Sequence, residues 1–568
     1  MFKEEERKMR KTMFLLVSIL IAGTVLASNP LNLYGRDAEG RNGVVAAAKP
    51  EASEVGVRIL EMGGNAVDAA IATAFAIGVL EPNASGIGGG GFMIIKLADM
   101  DEAVVIDFRE TAPNATSPTF FNLDENNRPV NYESVIGGKA VGVPGEVAGL
   151  LYALENYGTL SREEVIQPAI DWAEKGIPVT VNLFSIISDN YEKIMMMENG
   201  VDLYLKYGGI PYEVGETIVL KDLADTLRSI VENGKDAIYS GEIAEKIVAE
   251  VQKRGGVMTM DDLANYEVKV RKPVVGTYRG YTILSVPPAS SGGTHVIELL
   301  NIMENFDVGS MGDNTAETIH IWSEAMKLIF ADRSKYMADT DFVNVPLEGL
   351  TSKDYARILA EKIDKRIPLE SVEPGDPWKF ESGSTTHLSV MDREGNMVAI
   401  TKSINYFFGS GVVVPGTGIL LNNHMDDFVK TPGSANSVEP GKRPLSSMSP
   451  TLVLDPEGEP YMAIGAPGGT RIITTVAQTI SNIIDHGMTV QQAILAPRVF
   501  RTQTGPMSIE GRISINAYNR LIEMGHDITV RNDYDPYFGG VHAVLFNRDI
   551  GILFGGADPR RDGQAVAY

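Results

Sequence analysis

Residues 383–405 read GSTTHLSVMDREGNMVAITKSIN, and the residues leading into them have a different character. Residues 368–384 are rich in proline, glycine and serine with no apolar period, which is the composition of an exposed loop. Then Leu388 and Val390, followed by Val398 and Ile400, alternate on either side of Asp392-Arg393-Glu394-Gly395-Asn396. Alternation interrupted by five turn-forming residues predicts a β-hairpin. Thr385 and Thr386 thus stand where a loop enters a strand. Such a place holds a hydroxyl rigidly and leaves the preceding peptide bond open to attack.

A neutral hydroxyl is a poor nucleophile and needs a base beside it. One solution is an N-terminal residue, whose own α-amine takes the proton. A free α-amine titrates near pKa ~8, which suits base work around neutral pH. Thr385 lies far inside the chain, so this chemistry requires cleavage between Ser384 and Thr385. A Thr-Thr-His tripeptide alone has almost no specificity, because hydroxyl residues are common at strand starts.

The bulk composition sets outer bounds. At 568 residues the chain is long for one core, with 44% apolar and 22% charged residues, as in an ordinary globular protein. The net charge of -24 opposes nonspecific binding to nucleic acid or anionic lipid, and no basic cluster lies beyond the N-terminus. The absence of cysteine excludes disulfides, thiolate metal sites and a cysteine nucleophile. The seven histidines show no metal-binding spacing. No metal and no organic cofactor are expected.

Lys8, Arg10 and Lys11 precede a mostly apolar run over residues 13–27, and Ala27-Ser28 is a plausible cleavage point. The run is short for a membrane span, so it reads as a secretory signal over residues 1–27 and places the protein outside the cytoplasm, secreted or periplasmic. Glu4, Glu5 and Glu6 are unusual in such a leader, and an uncleaved anchor is the alternative. Residues 28–43 read as a loop. Residues 51–62 carry helical spacing ended by Gly63-Gly64, and Asn65 can cap a helix over 66–80. That second helix is apolar and short, hence buried.

The glycine run over residues 85–91 invites a phosphate-cradle reading. A cradle needs a strand before it and a helix after it, and here the order is reversed. Tight backbone packing is favoured instead. Val104 to Phe108 reads as a strand with Arg109 at its end, either a surface arginine or a bidentate carboxylate clamp. Ser161-x-x-Glu164 is a capping box. Asp332, Arg333 and Lys335 read as a surface ion-pair cluster on a helix. Helices over 472–484 and 490–497 and a hairpin around Asn547-Arg548-Asp549 follow. Sheets alternating with helices predict a layered α/β sandwich.

Several blocks together carry a resemblance: GGNAVDAAIA from Gly63, LEPNASGIGGGGF from Leu80, DFRETAP from Asp107, YRGYTILSVPPASSGG from Tyr278, GSTTHLSV from Gly383, GILLNNHMDDF from Gly418, KRPLSSMSPT from Lys442, GAPGGTRIITT from Gly465 and GGADPRRDG from Gly555. The chain resembles the gamma-glutamyltranspeptidase family, which comprises N-terminal-nucleophile hydrolases. The resemblance implies a four-layer αββα sandwich formed by two fragments of one precursor, residues 28–384 and 385–568, after autocatalytic cleavage between Ser384 and Thr385. It implies that the freed Thr385 attacks the γ-glutamyl amide of a glutathione-like substrate, and that water or the amine of an amino acid or peptide takes the acyl group. By the same resemblance, Gly468 and Gly469 form the oxyanion hole and Ser403 hydrogen-bonds the nucleophile. Arg109 with Ser446 and Ser447 takes the substrate α-carboxylate. Asp427 and Asn405 take its ammonium.

Two departures from the family pattern stand out. His424 replaces a glutamine or glutamate, and its protonation is expected to weaken ammonium binding as pH falls through its pKa. Residues 428–442 are short where many relatives carry a longer covering loop, which resembles the lidless members. Three readings follow: a glutathione hydrolase and γ-glutamyltransferase; a same-fold amidase acting on glutaryl-type amides or poly-γ-glutamate; and a noncatalytic periplasmic binding protein. The substrates are small molecules, with no nucleic-acid partner.

Overall fold

The computed structural model describes residues 35–372 and 384–568. The leader over residues 1–27, and the loop reading of residues 373–383, lie outside the described residues. Fourteen strands build two sheets. They are β1 (Ala38–Gly40), β2 (Gly43–Ala47), β3 (Gly90–Lys96), β4 (Val104–Phe108), β5 (Lys269–Arg271), β6 (Val274–Tyr278), β7 (Tyr281–Ser285), β8 (Ser384–Asp392), β9 (Met397–Asn405), β10 (Thr451–Leu454), β11 (Pro460–Gly465), β12 (His542–Asn547), β13 (Ile552–Ala557) and β14 (Gln564–Ala567). One seven-stranded sheet runs β14-β2-β8-β9-β3-β4-β5, and the other β1-β13-β12-β11-β10-β7-β6.

Alternation along the strands separates two faces. On β9, Val398 and Ile400 join the core beneath one helical layer, whereas Met397 and Ala399 join the core between the sheets. On β3, Met93 and Ile95 turn to the helices, and Phe92 and Ile94 to the other sheet. On β11, Met462 and Ile464 pack under the second helical layer while Ala463 points inward. Central strands apolar on both faces are what a sheet covered on both sides requires.

The layers are therefore helix, sheet, sheet, helix. The first is built on α1 (Pro50–Glu61), α2 (Ala66–Leu80) and α3 (Arg162–Lys175). The second contains α4 (Gly292–Met303), α5 (Ala316–Tyr336), α6 (Arg471–Ile484) and α7 (Val490–Leu495). Helix α2 is buried along its whole length and starts on an Asn65–Asp68 capping box. The Ser161–Glu164 capping box opens α3.

The hairpin at residues 384–405 forms with Leu388 opposite Ile400 and Val390 opposite Val398. The glycine run is packed as closely as side-chain-free backbone allows. A Cβ on Gly88 would meet the Leu420 carbonyl oxygen at 2.2 Å, one on Gly89 the Ser403 oxygen at 2.2 Å, and one on Gly91 the Thr401 oxygen at 2.3 Å.

Two expectations are corrected. Residues 38–40, read as loop, form the edge strand β1 through pairing with β13. Asp332 and Arg333 are not surface residues. Both are buried, because this end of α5 faces the loop around Ser446 rather than solvent, while Lys335 is exposed.

Candidate active site

Thr385 lies one residue into β8, where the register against β9 shifts between Ser384, opposite Asn405, and Thr386, opposite Lys402. A bulge of this kind bends a strand and re-aims its side chains. Thr385 is 5% exposed and lines a narrow cleft together with Arg109, Asn405, His424, Asp427, Ser446, Ser447 and Gly469. These come from five separate stretches of sequence, and all but Thr385 were named above as substrate or oxyanion contacts.

Arg109 follows the last residue of β4 and is 1% exposed. Asp107 holds this strand end, accepting from the Arg109 backbone N–H at 3.0 Å and from Arg271 Nε at 2.8 Å. The Arg109 guanidinium donates through Nε to the Pro444 carbonyl at 3.2 Å and through Nη2 to Asp427 Oδ2 at 2.5 Å. Its Nη1 makes no hydrogen bond and lies 3.5 Å from Glu110 Oε2. A buried guanidinium already balanced by Asp427 and Glu110, but with its Nη1 hydrogens unbonded, can bind a further carboxylate without first being stripped of water.

Asp427 ends the single 3-10 turn His424–Asp427. Its other oxygen, Oδ1, accepts from Asn405 Nδ2 at 3.1 Å. Asn405 has φ of +75°, a region that asparagine tolerates better than other residues with a Cβ. That conformation turns the chain out of β9 at the point where its amide reaches both the Asn423 carbonyl and Asp427. Ser403 is buried two residues earlier on the same strand and accepts from the Asn405 N–H at 2.7 Å.

His424 is buried, with Nδ1 2.8 Å from Glu110 Oε1. Burial, reinforced by the Arg109 charge, holds its pKa well below the usual histidine value. Burial also pushes Glu110 up to about 7, against the opposing pull of Arg109. The expectation that protonation of His424 weakens ammonium binding therefore becomes one about the buried Glu110–His424 pair, which shares a hydrogen bond at 2.8 Å.

Ser446 and Ser447 close the other side of the cleft. The Ser446 N–H donates to the Ala289 carbonyl at 2.9 Å, and its own carbonyl accepts from Ser291 Oγ at 2.7 Å. Ser447 Oγ accepts from Arg333 Nη2 at 2.9 Å, and Arg333 Nε donates to Ser291 Oγ at 2.8 Å. With one lone pair of Ser447 taken by a cation, its hydroxyl hydrogen is left to donate elsewhere. Gly468 and Gly469 form the turn before α6, with φ of +136° and +59°. A Cβ on Gly468 would approach Gly539 Cα at 3.0 Å. The turn sets backbone N–H groups at the positive end of α6, where negative charge on oxygen is favoured.

Of the residues singled out in the sequence, Gly468 and Ser403 adjoin the cleft without lining it. Glu110 and Arg333 were not foreseen as parts of the site. Glu110 sits inside the DFRETAP block, which could have drawn attention to it; Arg333 stood out by type with Asp332 and Lys335 but read as surface. Among the described residues, His320, Glu324 and His526 come close enough to hold a metal ion. Their nitrogens are already engaged: His320 with the Asp364 carbonyl and His526, and His526 with Arg501.

Comparison with known proteins gives the family and the fold. Residues 52–568 match the family model described as gamma-glutamyltranspeptidase. The chain is 42% identical to the glutathione hydrolase proenzyme of Escherichia coli (strain K12), over 92% of this chain and 90% of the relative. It is 40% identical to the acylase ACY 1 proenzyme of Pseudomonas sp. (strain SE83), over 94% of each. The crystal structure of cephalosporin acylase from Bacillus halodurans superposes with a TM-score of 0.84 at 33% identity, covering 94% of this chain and 97% of that one.

Proposed function

The chain belongs to the gamma-glutamyltranspeptidase family, and from that premise we propose how it works as a γ-glutamyltransferase and glutathione hydrolase. The observation that carries the reading is the meeting of Thr385 with the Arg109–Asp427 pair in one cleft. A hydroxyl nucleophile beside a split positive and negative site fits an amide whose acyl end is a free α-amino acid.

In the precursor, Thr385 Oγ attacks the Ser384 carbonyl carbon. The peptide C–N bond breaks as an ester forms, freeing the Thr385 α-amine, and water hydrolyses the ester to a Ser384 carboxylate and the restored Thr385 hydroxyl. That amine then takes the proton from the same Oγ as it attacks a γ-glutamyl amide, and passes it to the departing amine. Water, or the amine of an amino acid or peptide, takes the acyl group from the resulting ester. Negative charge develops on the carbonyl oxygen at each addition. We assign its stabilisation to the N–H groups of Gly468 and Gly469, where loss of one donor typically costs ~100- to 1000-fold in rate.

The head group is held by opposite charges. The α-carboxylate takes the Arg109 guanidinium and the hydroxyls of Ser446 and Ser447. The ammonium takes Asp427, Asn405 and His424. Arg109 and Asp427 neutralise each other, so neither buried charge is left uncompensated. Ser403 is assigned to orienting the nucleophile from β9.

The sheet order supports two interwoven fragments, 28–384 and 385–568, because β8 pairs with β2 and β9 with β3 across the proposed cut. The apolar run over residues 13–27 supports export, and among the described residues no helix is long and apolar enough to cross a membrane. The short segment over 428–442 supports entry of long acyl chains. The relatives named as acylases favour one second reading, a same-fold amidase acting on amides without an α-amino group. Retention of Asp427 opposite Arg109 weighs against it.

Denaturing electrophoresis with N-terminal sequencing, on wild type and Thr385→Ala, tests the chemistry alongside a γ-glutamyl anilide assay with and without glycylglycine. Wild type is expected to give two bands, a sequence starting TTHLSV and activity. The variant is expected to give one inactive band. An active, uncut chain would end the reading.

A further inference from the structure

We propose that Glu110 is a positioning residue that sets the hydrogen-bonding sense of His424, so that His424 Nε2 accepts from the ammonium of a γ-glutamyl donor only when the Glu110–His424 pair holds a single proton. The inference rests on the functional reading above.

The geometry leaves little freedom. Glu110 Oε1 lies 2.8 Å from His424 Nδ1, and both side chains are buried. The Glu110 side chain is walled in by glycine backbone: a Cβ on Gly90 would come within 2.8 Å of its carboxyl carbon, and one on Gly142 within 3.0 Å of its Cβ. His424 is fixed from the other side, its backbone N–H donating to Asn422 Oδ1 at 3.1 Å while Asn422 Nδ2 donates to the Gly88 and Gly142 carbonyls. With Nδ1 committed to Glu110, Nε2 is the nitrogen that His424 offers to the cleft it lines.

Proton counting then decides the sense. With one proton in the pair, the proton sits on Nδ1 and bonds to the Glu110 carboxylate, and Nε2 is a bare acceptor. With two protons, either Glu110 is a neutral acid donating to Nδ1 or the pair is imidazolium and carboxylate. In both arrangements Nε2 carries hydrogen and faces an ammonium donor to donor. The result does not depend on which microstate holds the added proton.

Burial raises Glu110, and the surrounding charges temper that rise. Asp107 at the end of β4 and Arg109 just past it flank Glu110 along the chain, and Arg443 faces it from the segment before Ser446. Glu146 adds a like charge, itself paired with Lys402 at 2.6 Å, and Asp427 flanks His424. Tyr239 and Tyr266 also face Glu110, and both are held neutral by burial. Burial pushes Glu110 up to about 7.

The test is steady-state kinetics of the processed enzyme with a γ-glutamyl anilide from pH 5 to 8.5. KM for the donor is expected to rise as pH falls below ~7, with a limiting slope of about tenfold per pH unit, while kcat lacks that inflection. Glu110→Gln and His424→Gln should each abolish the inflection, and a glutaryl anilide, which has no ammonium, should not show it in wild type. A flat wild-type KM, or an inflection that survives both variants, overturns the proposal. If no γ-glutamyl anilide is turned over at any pH, the functional reading fails, and nitrogen-15 histidine spectra still decide the proton switch. A His424 signal, assigned by its loss in His424→Gln, should show Nε2 without hydrogen above pH ~7 and with hydrogen below it. A tautomer constant with pH would overturn the switch.

Discussion

Arg333 shows how a residue outside the cleft shapes it. Its two arms reach Ser447 and Ser291 at 2.9 and 2.8 Å from a buried position on α5. A hydrogen bond to a charged donor in such a place contributes ~1.5–3 kcal/mol, and its removal leaves Ser447 free to turn its hydrogen away from a bound carboxylate. Arg333→Ala is therefore expected to raise the donor KM by about 10- to 100-fold while the chain still cleaves itself. Arg333→Lys, which keeps the charge but not the fork, should fall between the two. An unchanged KM in a variant that still melts cooperatively would refute the role. Arg109 and Asp427 could be named because each stands in a block that carries the family resemblance, which assigns their roles. Glu110 shares the block of Arg109 and Arg333 belongs to a charged trio on a helix, yet neither could be placed in the site, since their meaning lies in contacts with His424 and Ser447, 314 and 114 positions away. A helix position and a strand end carry no periodic mark of such a partner.

At the scale of elements, legibility followed length. The hairpin β8–β9 was readable because nine residues per strand display a period of two around a turn-rich centre. Strand β1 has three residues, too few to show any period, and is a strand only because β13 lies beside it. The glycine run before β3 was readable as close packing, though not what it packs against. The Gly89 position, 2.2 Å from the Ser403 carbonyl for any Cβ, ties that run to the strand carrying Ser403 and Asn405. Gly89→Ala must push β9 away from β3 and should cost at least ~1–3 kcal/mol, with activity lost before the fold. Gly349→Ala, at a helical glycine with open space around it and no positive φ, should leave both melting temperature and activity unchanged. Equal melting temperatures and activities for the two variants would remove this account of the run.

At the scale of the whole molecule, a cut between Ser384 and Thr385 passes through the sheets without separating them. Strands β1 to β7 precede the cut, and β8 to β14 begin at it. Yet β2 lies between β14 and β8, β3 pairs with β9, β1 with β13 and β7 with β10. Each of these is a ladder of backbone hydrogen bonds between the would-be fragments. The core between the sheets also draws on both, with Phe92 and Ile94 from one side and Ala399 and Ala463 from the other. Separating the fragments would expose open sheet edges along with that core, and unpaired buried backbone groups are costly to leave behind. The cleaved protein is therefore expected to elute from a sizing column at the position of the uncut Thr385→Ala chain and to melt in one transition. Only denaturant should resolve the two bands. Fragments that drift apart in ordinary buffer would contradict the interleaving, whereas a single peak that falls to two only on unfolding follows from the strand order itself.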